Sequence, residues 1–164
     1  MNLTQSMKKN ITLRRTGYGP LALTVFVGLS SGCATIDPPE GYIKVRKSPE
    51  YDLKAVSARG NVIALSSRTN ADRDAGLDFW AQAVAYQKVD VDGMQLASSE
   101  PIKGKIGQEG VLFNFESGEG QAKTTYLVAL YVTPSRIYTV EATGPASELA
   151  KDMDKLRKAM TSFR

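Results

Sequence analysis

The stretch Thr124-Thr125-Tyr126-Leu127-Val128-Ala129-Leu130-Tyr131-Val132 carries apolar side chains at odd and even positions alike. Successive side chains of a strand point to opposite faces, so Tyr126, Val128 and Leu130 line one face and Leu127, Ala129 and Tyr131 the other. A strand apolar on both faces belongs inside a sheet that is covered on both sides. Upstream, Val111-Leu112-Phe113-Asn114-Phe115 puts Val111, Phe113 and Phe115 on one face, and Gly118-Glu119-Gly120 turns the chain between the two strands. Downstream, Thr133-Pro134-Ser135 turns into a further strand over residues 137–142. Weaker strand candidates at 94–99 and 102–106 lie on either side of Pro101.

The remaining elements supply the cover. Residues 51–68 predict a β-hairpin, with Arg59-Gly60-Asn61 as the turn between Leu53 or Ala55 and the apolar run 62–65. A helix follows, with Asn70 or Asp72 expected as its N-cap. Leu77, Trp80, Ala81, Val84 and Ala85 fall at i, i+3, i+4, i+7 and i+8, one apolar stripe. Asp72, Asp74 and Asp78 lie early and Lys88 late, the order that the helix dipole favours; Gly93 ends the unit. Gly144-Pro145 opens the last helix, where Leu149, Met153, Leu156 and Met160 make an unbroken core stripe. The expected fold is α+β: a single antiparallel β-sheet with helices packed on its faces, an α/β/α sandwich, forming one globular domain over 51–164.

The order hairpin, helix, antiparallel strands, terminal helix resembles the PsbP/DcrB-like group of small α/β/α sandwiches. The likeness is carried by Gly110-Val111-Leu112-Phe113-Asn114-Phe115, Tyr126-Leu127-Val128-Ala129-Leu130-Tyr131-Val132, Arg136-Ile137-Tyr138-Thr139-Val140, Leu156 and Ser162-Phe163-Arg164. These positions shape the fold and do no chemistry. What the resemblance implies is a non-catalytic binding or assembly factor, the group including extrinsic photosystem subunits and envelope lipoproteins; fold kinship alone does not transfer a function.

The N-terminal segment has a different logic. Lys8, Lys9, Arg14 and Arg15 precede an uncharged stretch whose run 21–29 is almost wholly apolar, the layout of a secretory signal peptide over 1–32. Met7-Lys8-Lys9 is itself a plausible start, and Arg14-Arg15 lacks the hydrophobic follow-up of a twin-arginine signal. Leu29-Ser30-Ser31-Gly32-Cys33 then resembles the lipobox of bacterial lipoproteins, in which small residues precede a cysteine that accepts diacylglycerol. The large aliphatic residue stands one place further out than in the usual pattern, so an ordinary signal peptide or an uncleaved anchor is the alternative. That the single cysteine of the chain falls at this spot favours lipidation at Cys33. Two or more acyl chains of the palmitate type anchor stably, at about 0.8 kcal/mol per buried CH₂. Ala34, rather than Asp, after Cys33 implies an outer-membrane lipoprotein whose domain faces the periplasm. Residues 33–50, with Pro38, Pro39 and Pro49, are expected to be the lipidated cysteine and a short tether; 42–46 is expected as a solvated edge strand rather than a basic contact with headgroups.

Composition excludes more than it proposes. The chain has 164 residues and no His, so imidazole acid–base chemistry, the Ser-His-Asp triad and imidazole zinc sites are absent. One Cys excludes an intramolecular disulfide framework. Four of the 21 Lys+Arg lie before Cys33 and none of the 17 Asp+Glu does, so the formal +4 belongs to the signal and the remainder is neutral. Nucleic acid is therefore not an expected partner.

Candidate chemistry is thin. Asp90-Val91-Asp92-Gly93 fails as a calcium loop because Lys88 and Ser99 stand at its essential ends. Asp72-Arg73-Asp74 suits a helix start better than a hydrolytic carboxylate pair, and Glu116 and Glu119 are expected at a solvated turn. Gly104, Gly107 and Gly110 lack the Lys-Ser/Thr of a phosphate loop. The basic residues of the last helix are interleaved with Glu148, Asp152 and Asp154, giving the helix pairs Glu148–Lys151, Asp154–Arg157 and Asp154–Lys158. No catalytic, metal-binding or cofactor-binding residue is assigned, and no cofactor is expected.

One feature is less ordinary. Phe79, Ala83 and Tyr86 form a second stripe on the first helix, nearly opposite Leu77, Trp80 and Val84. A helix apolar on two sides is either overlaid by a loop or offers a partner surface. Burial is the simpler expectation; the alternative is an aromatic face that binds an envelope protein partner. The functional expectation is a lipid-anchored, non-catalytic binding or assembly module of the cell envelope. Its rivals are a periplasmic carrier of a small apolar ligand or lipid and, behind both, an enzyme built on carboxylates or a Ser/Lys arrangement.

Overall fold

The computed structural model describes residues 34–46 and 48–164; residues 1–32, expected as a signal peptide, lie outside them, as do Cys33 and Lys47. Among the described residues one sheet holds β1 (Tyr42–Lys44), β2 (Leu53–Ser57), β3 (Val62–Thr69), β4 (Gln95–Lys103), β5 (Glu109–Ser117), β6 (Thr124–Val132) and β7 (Arg136–Pro145). The spatial order is β1-β2-β3-β7-β6-β5-β4, and every pairing is antiparallel. α1 (Leu77–Tyr86), extended by the π-helical turn Gln87–Val91, connects β3 to the far edge strand across one face. α2 (Ala146–Lys151) and α3 (Met153–Thr161) cover the other.

The two faces of β6 go where its pattern sends them. Leu127, Ala129 and Tyr131 join Ile63, Leu65 and Val140 beneath Leu149, Leu156 and Met160. Tyr131 also stacks on Phe163, centroids 4.3 Å apart, and its hydroxyl donates to the Met160 carbonyl at 2.9 Å. On the opposite face Val128 and Leu130 pack with Phe113 and Phe115 under Leu77, Trp80, Ala81, Val84 and Ala85. Each such aliphatic or aromatic side chain contributes about 1.5–3 kcal/mol on burial. The turn of the β2–β3 hairpin is tight enough to need Gly60, at φ +84°.

Several expectations are corrected. Residues 94–106 hold one strand, not two: β4 runs through Pro101 with a bulge between Leu96 and Ser98, and proline is tolerated because β4 is a sheet edge. α1 is capped by Gly76 with no side-chain cap. Asn70 is buried instead, donating to the carbonyls of Ala75 (3.0 Å) and Thr133 (3.2 Å) and accepting from Trp80 Nε1 (3.2 Å). It thus ties the end of β3 to the start of α1 and to the β6–β7 turn. The terminal helix, expected as one, is interrupted at Asp152 between α2 and α3, although Leu149, Met153, Leu156 and Met160 all pack on the same core. Arg157 pairs with Glu100 of β4 rather than with Asp154, while the Glu148–Lys151 pair forms at 2.6 Å.

Asp152 is not a solvated helix residue. It is 4% exposed, accepting from Asn61 Nδ2 (2.9 Å), Tyr42 Oη (3.1 Å) and Arg59 (3.2 Å). Burial, and then the hydrogen bond to Asp152, push the Tyr42 phenol up to about 12. Gly144 completes this corner, since a Cβ there would collide with the Asn61 side-chain oxygen.

The stretch expected to be a free tether is also built into the domain from residue 34 to 46. Ile36 is 2% exposed within the core of the α2–α3 face. Thr35 and Arg164 exchange backbone hydrogen bonds at 2.9 and 3.1 Å, and Arg164 donates to Asp37 at 2.8 Å. An apolar Ile and two free backbone groups gain more by docking on the sheet's end than by hydration. β1 is an exposed edge strand, as its sequence implies.

Candidate functional site

Register explains why one face of the sheet is left incomplete. Val128 and Leu130 of β6 stand opposite Glu141 and Thr139 of β7, and these in turn stand opposite Ala64 and Ser66 of β3. The face under α1 is therefore apolar over β5 and β6 and more polar over β7 and β3, where Ala64 and Ile137 stand among Ser66, Arg68, Thr139 and Glu141. α1 follows the apolar half, and none of its residues is fully buried. Between α1 and the uncovered half lies a groove of about 370 Å³. Trp80, Ala83, Val84 and Gln87 form its helical wall, Val128 and Ile137 its floor, and Arg68, Thr139 and Glu141 its sheet wall.

Several polar groups at its rim are held by partners. Lys88 is fixed by Asp92 at 2.9 Å and lies over the Tyr126 ring, 4.6 Å from the centroid. Burial, and then the Glu141 carboxylate, push the Tyr126 phenol far above its ordinary range, so it stays protonated and keeps its O–H donor. Ser66 and Thr139 bond to each other, 2.8 Å apart, instead of to a base. Arg68 makes no ion pair among the described residues and is exposed at the groove's end, beside Ile137 in register. The arrangement suits recognition, with an apolar floor for contact and fixed charges for orientation.

The second stripe of α1 borders this groove. Ala83 belongs to both, while Phe79 and Tyr86 are 58% and 63% exposed. The expected burial of this stripe is thus overturned: no loop among the described residues overlies it. The Phe79 ring meets Trp80 edge-on at 5.3 Å and otherwise faces water. Cys33 lies outside the described residues.

The other candidates of the sequence do not converge. Asp92 is engaged with Lys88 and Gln87 on the exposed π-helical turn while Asp90 points to solvent. Asp72 accepts from the backbone of Asp74, 3.1 Å, in an exposed turn, and Glu116 pairs with Lys123 at 2.7 Å. Among the described residues no three Cys, Asp or Glu side chains gather to hold a metal. Sequence reasoning missed the groove and the Asp152 cluster. Their only sequence signals are the polar alternates Ser66, Arg68, Thr139 and Glu141 inside strands and an acid within an apolar helical stripe.

No family model and no curated protein sequence matches the chain. The fold does have solved counterparts. The solution structure of the cyanobacterial PsbP (CyanoP) of Synechocystis sp. PCC 6803 matches at TM-score 0.56 and 15% identity, covering 89% of this chain and 99% of that one. LpqN, described as involved in cell envelope biogenesis of Mycobacterium tuberculosis, matches at TM-score 0.55 and 9% identity, covering 79% and 81%. A crystal structure from Bacteroides thetaiotaomicron VPI-5482 matches at TM-score 0.52 and 11% identity, over 80% of this chain and 44% of that one. The architecture is therefore PsbP-like.

Proposed function

We propose that this chain is a lipid-anchored protein of the bacterial cell envelope whose domain binds or helps assemble other envelope proteins without catalysis. The observation that carries the reading is the exposed aromatic edge of α1, Phe79 and Tyr86, running beside a groove with an apolar floor and fixed charges. Large aromatic anchors next to a concave, partly charged surface are what protein interfaces use. The lipobox-like Leu29-Ser30-Ser31-Gly32-Cys33 and the fold shared with an envelope-biogenesis protein support the location. Ala34 after Cys33 favours the outer membrane, with the domain in the periplasm.

Two experiments test it. Cys33→Ser should abolish fatty-acid labelling and release the protein from membranes; unchanged membrane association would mean an uncleaved anchor. In-cell crosslinking with mass spectrometry should capture an envelope protein that the double variant Phe79→Ser, Tyr86→Ser loses while remaining folded. Equal capture by wild type and variant would remove the aromatic edge from the interface.

The apolar floor formed by Val128 and Ile137 with Trp80 and Val84 favours a second reading, a carrier of a small apolar ligand. Extraction of the purified protein into organic solvent should then yield one bound species in stoichiometric amount.

A further inference from the structure

Isolated exposed apolar side chains are ordinary on protein surfaces, and their exposure alone carries no meaning. Ile106 differs in where it stands. It is 74% exposed at the tip of the β4–β5 turn, directly after Lys105 and three residues beyond Lys103. The turn is rigidly held: Gly104 N donates to Gln108 O at 2.8 Å, Lys105 N to Phe163 O at 2.8 Å, and Gln108 Nε2 to Val132 O at 3.1 Å. The next residue after Phe163, Arg164, exchanges backbone hydrogen bonds with Thr35, and the Lys105 ammonium lies 3.7 Å from Asp37. The turn, the C-terminal residue and the first described residues therefore form one end of the domain.

That end is where the chain arrives from Cys33. Thr35 is two residues from Cys33, a reach of at most about 7 Å at the extended spacing of the chain. An acyl anchor on Cys33 therefore brings this end, and not the opposite one, to the bilayer. The basic side chains there are available to a surface. Lys103 and Lys105 face Glu109 and Asp37 at 3.7 Å in each case, with all four side chains more than half exposed, so these pairs are weak and readily exchanged for phosphates.

We propose that the β4–β5 turn is a membrane-contacting element: Ile106 enters the headgroup–acyl boundary while Lys103 and Lys105 engage anionic phospholipid headgroups. The inference rests on acylation of Cys33 from the preceding reading and adds an orientation to it. β5 then points away from the membrane, and its far end, at the Glu119 turn, stands about 30 Å further out at the rise of a nine-residue strand. The aromatic edge of α1 is thereby presented at the side of the domain rather than pressed against lipid.

The test uses the full chain, expressed with its signal and reconstituted into phosphatidylethanolamine–phosphatidylglycerol vesicles. Ile106→Cys and, separately, Glu119→Cys provide thiols for an environment-sensitive fluorophore, since Cys33 is the sole native thiol and acylation blocks it. A nitroxide quencher carried on the lipid should quench the label at position 106 severalfold more than the label at 119. A soluble quencher should show the reverse order. Labelling of the parent chain, without an introduced cysteine, would show that Cys33 is unacylated and would overturn both readings. An acylated chain in which position 106 responds only to the aqueous quencher would overturn the orientation alone.

Discussion

The two faces of the sheet are covered in different ways. On one, α2 and α3 bury Leu149, Leu156, Ala159 and Met160, and the entering chain adds Ile36 at the edge. On the other, α1 leaves all its residues at least partly accessible and shelters only the apolar half of the sheet. The difference follows from β3 and β7, whose residues are apolar toward α2–α3 (Ile63, Leu65, Val140, Ala142) and mostly polar toward α1 (Ser66, Arg68, Thr139, Glu141, with Ala64 and Ile137 among the exceptions). One face is sealed by its helices, and the other is left with the open groove on which the proposed recognition role rests.

Removing a side chain from the covered face should have the largest effect. Leu156→Ala leaves a cavity among fully buried neighbours and should cost about 3 kcal/mol, against about 1 kcal/mol for Val84→Ala on α1, compared by urea denaturation. Equal losses would mean that α1 is as essential to the core as α3. Next is Asn70→Ala, which orphans Trp80 Nε1 and two carbonyls at once and should cost about 2 kcal/mol. Because those bonds hold α1 in place, amide hydrogen exchange in α1 should rise far more than in α3.

A third probe uses pH. Burial raises the Tyr131 phenol from 10.0 to about 12, and Tyr42 moves to about 12 likewise. Between those values the unfolded phenols are ionised while the folded ones keep their protons. The unfolded state then binds fewer protons, and stability falls as pH rises from about 10 to about 12. Below pH 10 the contribution is complete. Tyr131→Phe should flatten that decline in a pH series of thermal melts, at the cost of about 1 kcal/mol at neutral pH for the bond to Met160 O. The smallest effect belongs to the aromatic edge: Phe79→Ser with Tyr86→Ser should change stability by less than about 1 kcal/mol, because both rings already face water. A larger loss would show that the stripe serves the core rather than a partner.

The elements themselves were legible. The alternation in 124–132 and 111–115, the hairpin at Arg59-Gly60-Asn61 and the stripe Leu77, Trp80, Ala81, Val84, Ala85 all occur where local periodicity places them. That follows from physics, since side-chain direction along a strand or helix is set by neighbouring residues. The candidate site was legible only in part. Phe79, Ala83 and Tyr86 were visible as a stripe, but whether a loop covers them depends on chain segments distant in sequence. Asp152 was misjudged for the same reason: its partners Tyr42, Arg59 and Asn61 lie about 90 to 110 residues away.

By itself, then, the sequence determined the α+β class, the two-sided cover of β6, the absence of imidazole and intramolecular disulfide chemistry, and the formal neutrality of residues 33–164. Only the tertiary structure decided the strand order, and with it the meeting of polar alternates from β3 and β7 that opens the groove beside α1. It also decided that residues 34–46 dock on the domain, bringing the chain's entry beside Arg164 and the Lys103–Lys105 turn. Periodicity is local and can be read along the chain, whereas strand pairing and docking are settled by contacts between segments that sequence order keeps apart.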